Sequence, residues 1–165
     1  MEEPKLDPKV EEALKESGIT YKVFQCDPEL ADTYAFCEHY DFKLGQSANT
    51  IIVASKKEPV VFGCCVILAT TKLDVNKKVC QLLGVKDASF ASAEQTIEKT
   101  GMQIGGVTAF GVKDMPIYID GAVLNNQEIV MGGGNRSTKV LLDPKELQKL
   151  TTVQIIENLA KPKVE

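Results

Sequence analysis

Apolar residues recur along this chain at two periods, and the switches between them predict its elements. Residues 7–17 place Val10, Ala13 and Leu14 at helical spacing behind an Asp-Pro start, and Gly18 ends the pattern. Ile19–Phe24 alternates as a short strand. Residues 28–40 (PELADTYAFCEHY) read as one helix with a mixed aromatic and acidic face. Thr50–Ala54 and Val60–Ala69 are β-rich, and SKKEP between them predicts a hairpin. The second run is apolar almost throughout, as expected of a strand buried on both faces. An amphipathic helix follows over Asp74–Leu83, closed by Gly84, then a short strand over Ala88–Phe90. Ser92 opens a helix through Lys99 that Gly101 ends. Strands are expected over Pro116–Asp120, Glu128–Met131 and Lys139–Leu142, and Asp143-Pro144 starts a last helix. Residues 161–165 are expected to fray.

Six or seven short strands thus interleave with four or five helices, and the tight connections imply antiparallel pairing. The expected class is α/β of the α+β type: a compact, mixed, mostly antiparallel sheet with helices packed around it. A length of 165 residues fits one domain over 1–165. No apolar run approaches the ~20 residues that span a bilayer, and the acidic N-terminal segment lacks the layout of a signal peptide. A cytoplasmic location without membrane contact is expected.

The net charge of −4 argues against a strong, sequence-independent nucleic-acid binder, and no DNA partner is expected. Arg136 is the only arginine, beside a triple glycine, where a guanidinium suits phosphate or carboxylate. The five cysteines form no Cys-x-x-Cys pair, and adjacent Cys64 and Cys65 should point to opposite faces of a strand. They read as buried thiols in a reducing compartment. Cys26, Cys37 and His39 match no zinc spacing, so no metal is expected.

Nucleotide-loop glycine fingerprints, a Walker loop and a serine elbow are all absent, and the single histidine, His39, has no obvious serine partner. Glycine remains: Gly105, Gly106 and Gly111 surround Thr108, and Gly132-Gly133-Gly134 leads into Arg136. Such loops let backbone amides approach a ligand and hold a carbonyl or oxyanion. Each could equally be a tight turn.

Five blocks, in order, carry a resemblance: SANTIIV at 47–53, LDVNKK at 73–78, TGMQIGGVTAFG at 100–111, Ile119-Asp120, and the Gly132–Arg136 loop. Together they resemble the YbaK/prolyl-tRNA synthetase-associated editing domain family over about residues 20–155. The resemblance implies a free-standing hydrolase that deacylates mischarged aminoacyl-tRNA, acting on the ester of a small amino acid. It implies no cofactor and no protein nucleophile. Its partner would be the aminoacyl-tRNA 3′ end, with a synthetase or elongation factor as further candidates. Such a second sieve serves where a synthetase pocket discriminates poorly between similar side chains.

Carried onto this sequence, the resemblance gives Asn49, Thr108 and Gly106 as catalytic positions. Gly105 would help line the acyl pocket, Gly133 and Gly134 would donate to the ester, and Arg136 would meet phosphate. Gly111, Gly132 and Asp120 join them as substrate-binding positions. Three departures stand out. The family's lysine falls on Asn49, its motif proline on Ala109, and its small hydroxyl residue on Gly132. Lys72 is a candidate to restore the missing charge. Tyr34 and Phe36 would contact the acyl group if their helix closes as a lid; that helix could instead dock a partner protein or pack on the sheet. Loss of the lysine leaves a second reading open, a binding module for an aminoacyl-tRNA end, amino acid or nucleotide.

Overall fold

The computed structural model describes residues 5–150 and 152–163. Its first helix starts where the sequence signals. In α1 (Pro8–Glu16), the Asp7 carboxylate accepts from the Lys9 amide at 2.9 Å. Three other predicted helices are shorter than the pattern suggests or take another form. Residues 28–40 divide into a 3-10 turn, Pro28–Leu30, and α2 (Thr33–Tyr40), because Asp27 and Asp32 both sit extended as N-caps. Residues 75–79 form a π-turn before the short α3 (Cys80–Leu83), and Gly84 closes it in the left-handed region. Pro144–Lys149 is a 3-10 helix.

α4 (Ala93–Thr100) carries a reciprocal cap: Ser92 Oγ accepts from the Gln95 amide at 3.0 Å, and Gln95 Oε1 accepts from the Ser92 amide at 2.9 Å. Ser92→Ala leaves one of these donors without its partner. It is expected to cost about 1 kcal/mol, read as a fall of roughly 2–4 °C in a thermal melt of a chain this size.

Ten strands form among the described residues, more than expected: β1 (Lys22–Gln25), β2 (Ala48–Ser55), β3 (Phe62–Leu68), β4 (Thr71–Leu73), β5 (Ala88–Phe90), β6 (Ile117–Asp120), β7 (Ile129–Gly132), β8 (Thr138–Leu142), β9 (Val153–Ile156) and β10 (Ala160–Pro162). The main sheet runs β5-β2-β3-β6-β9, a second sheet runs β1-β8-β7, and β4 pairs with β10. Pairing is antiparallel except at β3–β6 and β6–β9. The mixed, mostly antiparallel α+β class therefore holds. The expected frayed tail is a correction: Lys161 and Pro162 pair with Lys72 and Thr71. Pro162 ends an edge strand, where its missing N–H is tolerated. Residues 164–165 lie outside the described residues.

The burial pattern explains the layering. Cys64 and Val66 of β3 face a core that includes Val10, Leu14, Met131 and Val140, between the two sheets and α1. Cys65 and Ile67 face the other way, against Val79, Cys80 and Leu159. The two adjacent thiols thus point to opposite sides of a strand buried on both, as the sequence predicts. Burial drives both thiols upward, Cys65 to about 12, so neither ionises at neutral pH. On the outer face of the second sheet, Phe24 meets Phe36, Tyr40 and Phe42 edge-on, seating α2.

Candidate functional site

A parallel bridge, Ser47 to Val130, links the two sheets. Near it lies a cleft of about 330 Å³ between β2, the end of β7, Lys139 of β8 and the start of α2. That volume is at the small end of ligand pockets, which run roughly 300–1,000 Å³.

The polar groups of the cleft are few. Asn49 Oδ1 accepts from Thr33 Oγ1 at 2.9 Å and from Ser47 Oγ at 3.3 Å. These bonds fix the amide and leave its NH₂ to donate elsewhere. Thr50 also lines the cleft, and its hydroxyl oxygen is buried without a hydrogen-bond partner.

Lys139 supplies the charge. Its residue is only 8 % exposed, and Nζ donates to the carbonyls of Ala31 at 2.7 Å and Gly105 at 3.0 Å. The Phe36 ring lies 5.3 Å from the ammonium. Among the described residues no carboxylate lies within ion-pair distance of it; Asp32 pairs with Arg136 instead. Burial holds the Lys139 pKa below the usual 10.5, with Cys26 and Asp32 opposing. A lysine has three donors, and the two carbonyls use two.

The other predicted positions separate clearly. Gly105, Gly132 and Phe36 line the cleft with Asn49. Gly106, Thr108, Gly111, Gly133, Gly134, Arg136, Asp120, Lys72 and Tyr34 do not. Thr108 is fully buried and its hydroxyl is unpartnered, inside the core. The glycine loops do meet, but their amides bond to one another. Gly134 N–H donates to Gly106 O at 2.7 Å, Gly106 N–H to Gln103 O at 2.9 Å, and Gln103 N–H to Gly134 O at 3.1 Å. Gly105 needs its left-handed φ of 93°, and a methyl there would run into the Arg136 guanidinium. Gly133 packs against Thr138 and Leu6, Gly134 against Asp7 and Val10, and Gly111 against Lys9.

Arg136 is a staple. Its guanidinium donates to Pro28 O at 2.9 Å, Ile104 O at 2.9 Å and Asp32 Oδ1 at 3.2 Å, tying both glycine loops to the α2 entrance. Asp120 is buried away from the cleft. Burial raises its pKa, while amides of Ala160, Leu159 and Gly121 hold the carboxylate from below. Lys72 lies in a neighbouring groove, and Tyr34 is exposed, with Lys163 over its ring. Among the described residues no three His, Cys, Asp or Glu side chains are placed to hold a metal ion, and no helix is long and apolar enough to cross a membrane.

Thr50 and Lys139 were not singled out by the sequence. The available signal was alternation: in Thr138–Leu142 the even positions are core-facing, which puts Lys139 beside Leu141 on the face that α2 covers.

The model of the aminoacyl-tRNA editing domain matches residues 27–150. The chain belongs to this family. An uncharacterized protein, YwhH, of Bacillus subtilis (strain 168) is 37 % identical over 81 residues, 48 % of this chain and 50 % of that protein, so the match spans half of the relative's length. Among solved structures, hypothetical protein APE2540 superposes with a TM-score of 0.82 at 22 % identity, covering 93 % of this chain and 99 % of that one. A candidate trans-editing enzyme for prolyl-tRNA synthetase superposes with a TM-score of 0.77 at 24 % identity, covering 96 % and 100 %. At these identities the structures establish the fold, and the family match establishes membership of the aminoacyl-tRNA editing domain family.

Proposed function

We propose that this editing domain hydrolyses the ester of mischarged aminoacyl-tRNA in trans, with the small acyl group in the cleft at the seam between the sheets. The observation that carries the reading is the carboxylate-free ammonium of Lys139 inside that cleft. A buried cation without a counter-ion is expensive to keep, and an anionic or developing-anion ligand offsets that expense. Asn49 stands where the family's lysine would be, and Lys139 brings the charge from the opposite wall.

The chemistry needs little more. Water adds to the ester carbonyl, and the tetrahedral oxyanion is held by the third donor of Lys139. The C–O bond to the ribose breaks as one of the water's protons passes to the ribose oxygen, and the amino acid loses the other to solvent and leaves as a carboxylate. The NH₂ of Asn49 would orient the terminal ribose or the water. The expected result is faster deacylation of at least one among purified Ser-, Ala-, Pro- and Thr-charged tRNAs. If none is accelerated while a charged tRNA end still raises the melting temperature by mass action, hydrolysis is excluded and the binding-module reading replaces it.

A further inference from the structure

Lys139 is the only ionisable side chain among the described residues that line the cleft. The other polar lining residues, Thr33, Ser47, Asn49, Thr50 and Thr96, are neutral, and the rest are apolar or glycine. The surroundings of the ammonium do not restore the balance. Asp32 is paired with Arg136 at 3.2 Å, so those two charges offset each other. Cys26 and Cys37 also act on Lys139, but burial pushes both thiols up, so they stay neutral near pH 7. The cleft therefore carries one positive charge in excess, on a residue that is itself buried. The acceptors at hand are committed. Asn49 Oδ1 already takes two hydrogen bonds, from Thr33 and Ser47, which fills both lone pairs. The carbonyls of Ala31 and Gly105 are aimed at Lys139.

An aminoacyl ester brings a second positive charge. An α-amine has a pKa of about 7.7–8.0, so most of it is protonated at neutral pH. The amine is two bonds from the carbonyl carbon. With the ester oxygen hydrogen-bonded to Lys139 Nζ at about 2.8 Å, the two ammonium groups would lie within roughly 6 Å, where like charges shielded from bulk water repel strongly. A second cation would meet neutral hydroxyls and no carboxylate. We infer that the cleft selects the acyl group in its uncharged state: an α-hydroxyacyl ester, or an aminoacyl ester whose amine has lost its proton. The α-hydroxy group is close in size to the amine it replaces, so it suits a cleft of only about 330 Å³. The inference rests on the deacylase reading with Lys139 as donor to the ester oxygen, and a binding measurement keeps it separable from hydrolysis.

The test compares two esters on one tRNA, L-alanyl and L-lactyl, which differ by a hydroxyl in place of the amine. Each kcat/KM is corrected for uncatalysed hydrolysis. Their ratio cancels titrations that belong to the protein and leaves the titration of the substrate amine. The lactyl ester should be favoured at least about tenfold at about pH 6.5, and the two should converge by about pH 9, where the amine is neutral. Asn49→Asp keeps an oxygen for Thr33 and Ser47 and adds the missing carboxylate, so it should remove the preference at low pH. A ratio that does not change with pH, an alanyl ester favoured at about pH 6.5, or an undiminished preference in Asn49→Asp would overturn the inference and leave the deacylase reading standing. If neither ester is hydrolysed, the deacylase reading falls, and calorimetric binding of two amides that resist hydrolysis decides the inference: 3′-(L-alanylamino)-3′-deoxyadenosine and its 3′-(L-lactoylamino) counterpart. The lactoyl amide should bind at least about tenfold more tightly at about pH 6.5 and equally at about pH 9. Equal affinities at both pH values, or binding of neither amide, would overturn it.

Discussion

Lys139→Met is expected to lower kcat for deacylation by about 10²–10³, the loss seen when one donor to a developing oxyanion is removed. The substitution keeps the length and apolar stem of the side chain, so the contact with Phe36 survives and the cleft keeps its shape. What disappears is a positive charge and two hydrogen bonds, to Ala31 O and Gly105 O. The stability change is the difference of two effects. The carbonyls lose donors, which destabilises. The expense of burying an ammonium without a carboxylate also vanishes, which stabilises. The melting temperature should therefore move much less than the rate.

The pH dependence separates a charge role from a packing role. Burial depresses the Lys139 pKa below 10.5. In the parent, the rate should fall on the alkaline side before the ordinary lysine range, as the ammonium loses its proton. Stability has the opposite sign. Between the depressed folded pKa and 10.5 the unfolded chain binds more protons than the folded one, so stability rises with pH through that window. Both the alkaline fall in rate and the alkaline rise in stability should be missing from Lys139→Met. A variant that deacylates as fast as the parent would reduce Lys139 to a strut between α2 and the glycine loop.

Lys139 also shows where sequence reading stops. Local rules worked wherever the cause is local. Asp7 and Ser92 cap helices, Gly84 and Gly101 end them, and Cys64 and Cys65 part across β3. The site depends on contacts far apart in the chain. Lysine is among the residues least often buried, so in TKVLL it reads as solvated until α2 is seen to cover it. The same distance misled the reading of Arg136, whose acceptors lie over 100 residues away at Pro28 and Asp32. Nothing local marks the parallel β9, because its partner β6 lies more than 30 residues earlier. The sequence marks the glycine loops as special. Their composition allowed either open amides or close backbone packing, and only the partner loop decides between them.

Close packing makes Gly106→Ala a severely damaging substitution despite its small size. A methyl at Gly106 would fall well inside 3.0 Å of the Asn135 carbonyl and of its backbone nitrogen and carbon. These are main-chain atoms, so no rotamer change relieves the overlap; the loops must separate. Separation strains the Gly134–Gly106 and Gln103–Gly134 hydrogen bonds, and with them the bond from the Arg136 amide to Gln103 Oε1 at 3.0 Å. Overpacking plus damaged buried hydrogen bonds is worth about 3 kcal/mol or more, a fall on the order of 10 °C in melting temperature for a chain of this length. Gly45→Ala provides the reference, since an added methyl there meets nothing within 4 Å and its backbone angle is ordinary; it should melt within a degree or two of the parent. Activity should fall with stability in Gly106→Ala, because the adjoining Gly105 carbonyl is one of the two that aim the Lys139 ammonium. Equal melting curves for Gly106→Ala and Gly45→Ala would mean that the loops are not locked together, and the cleft would lose its rigid wall.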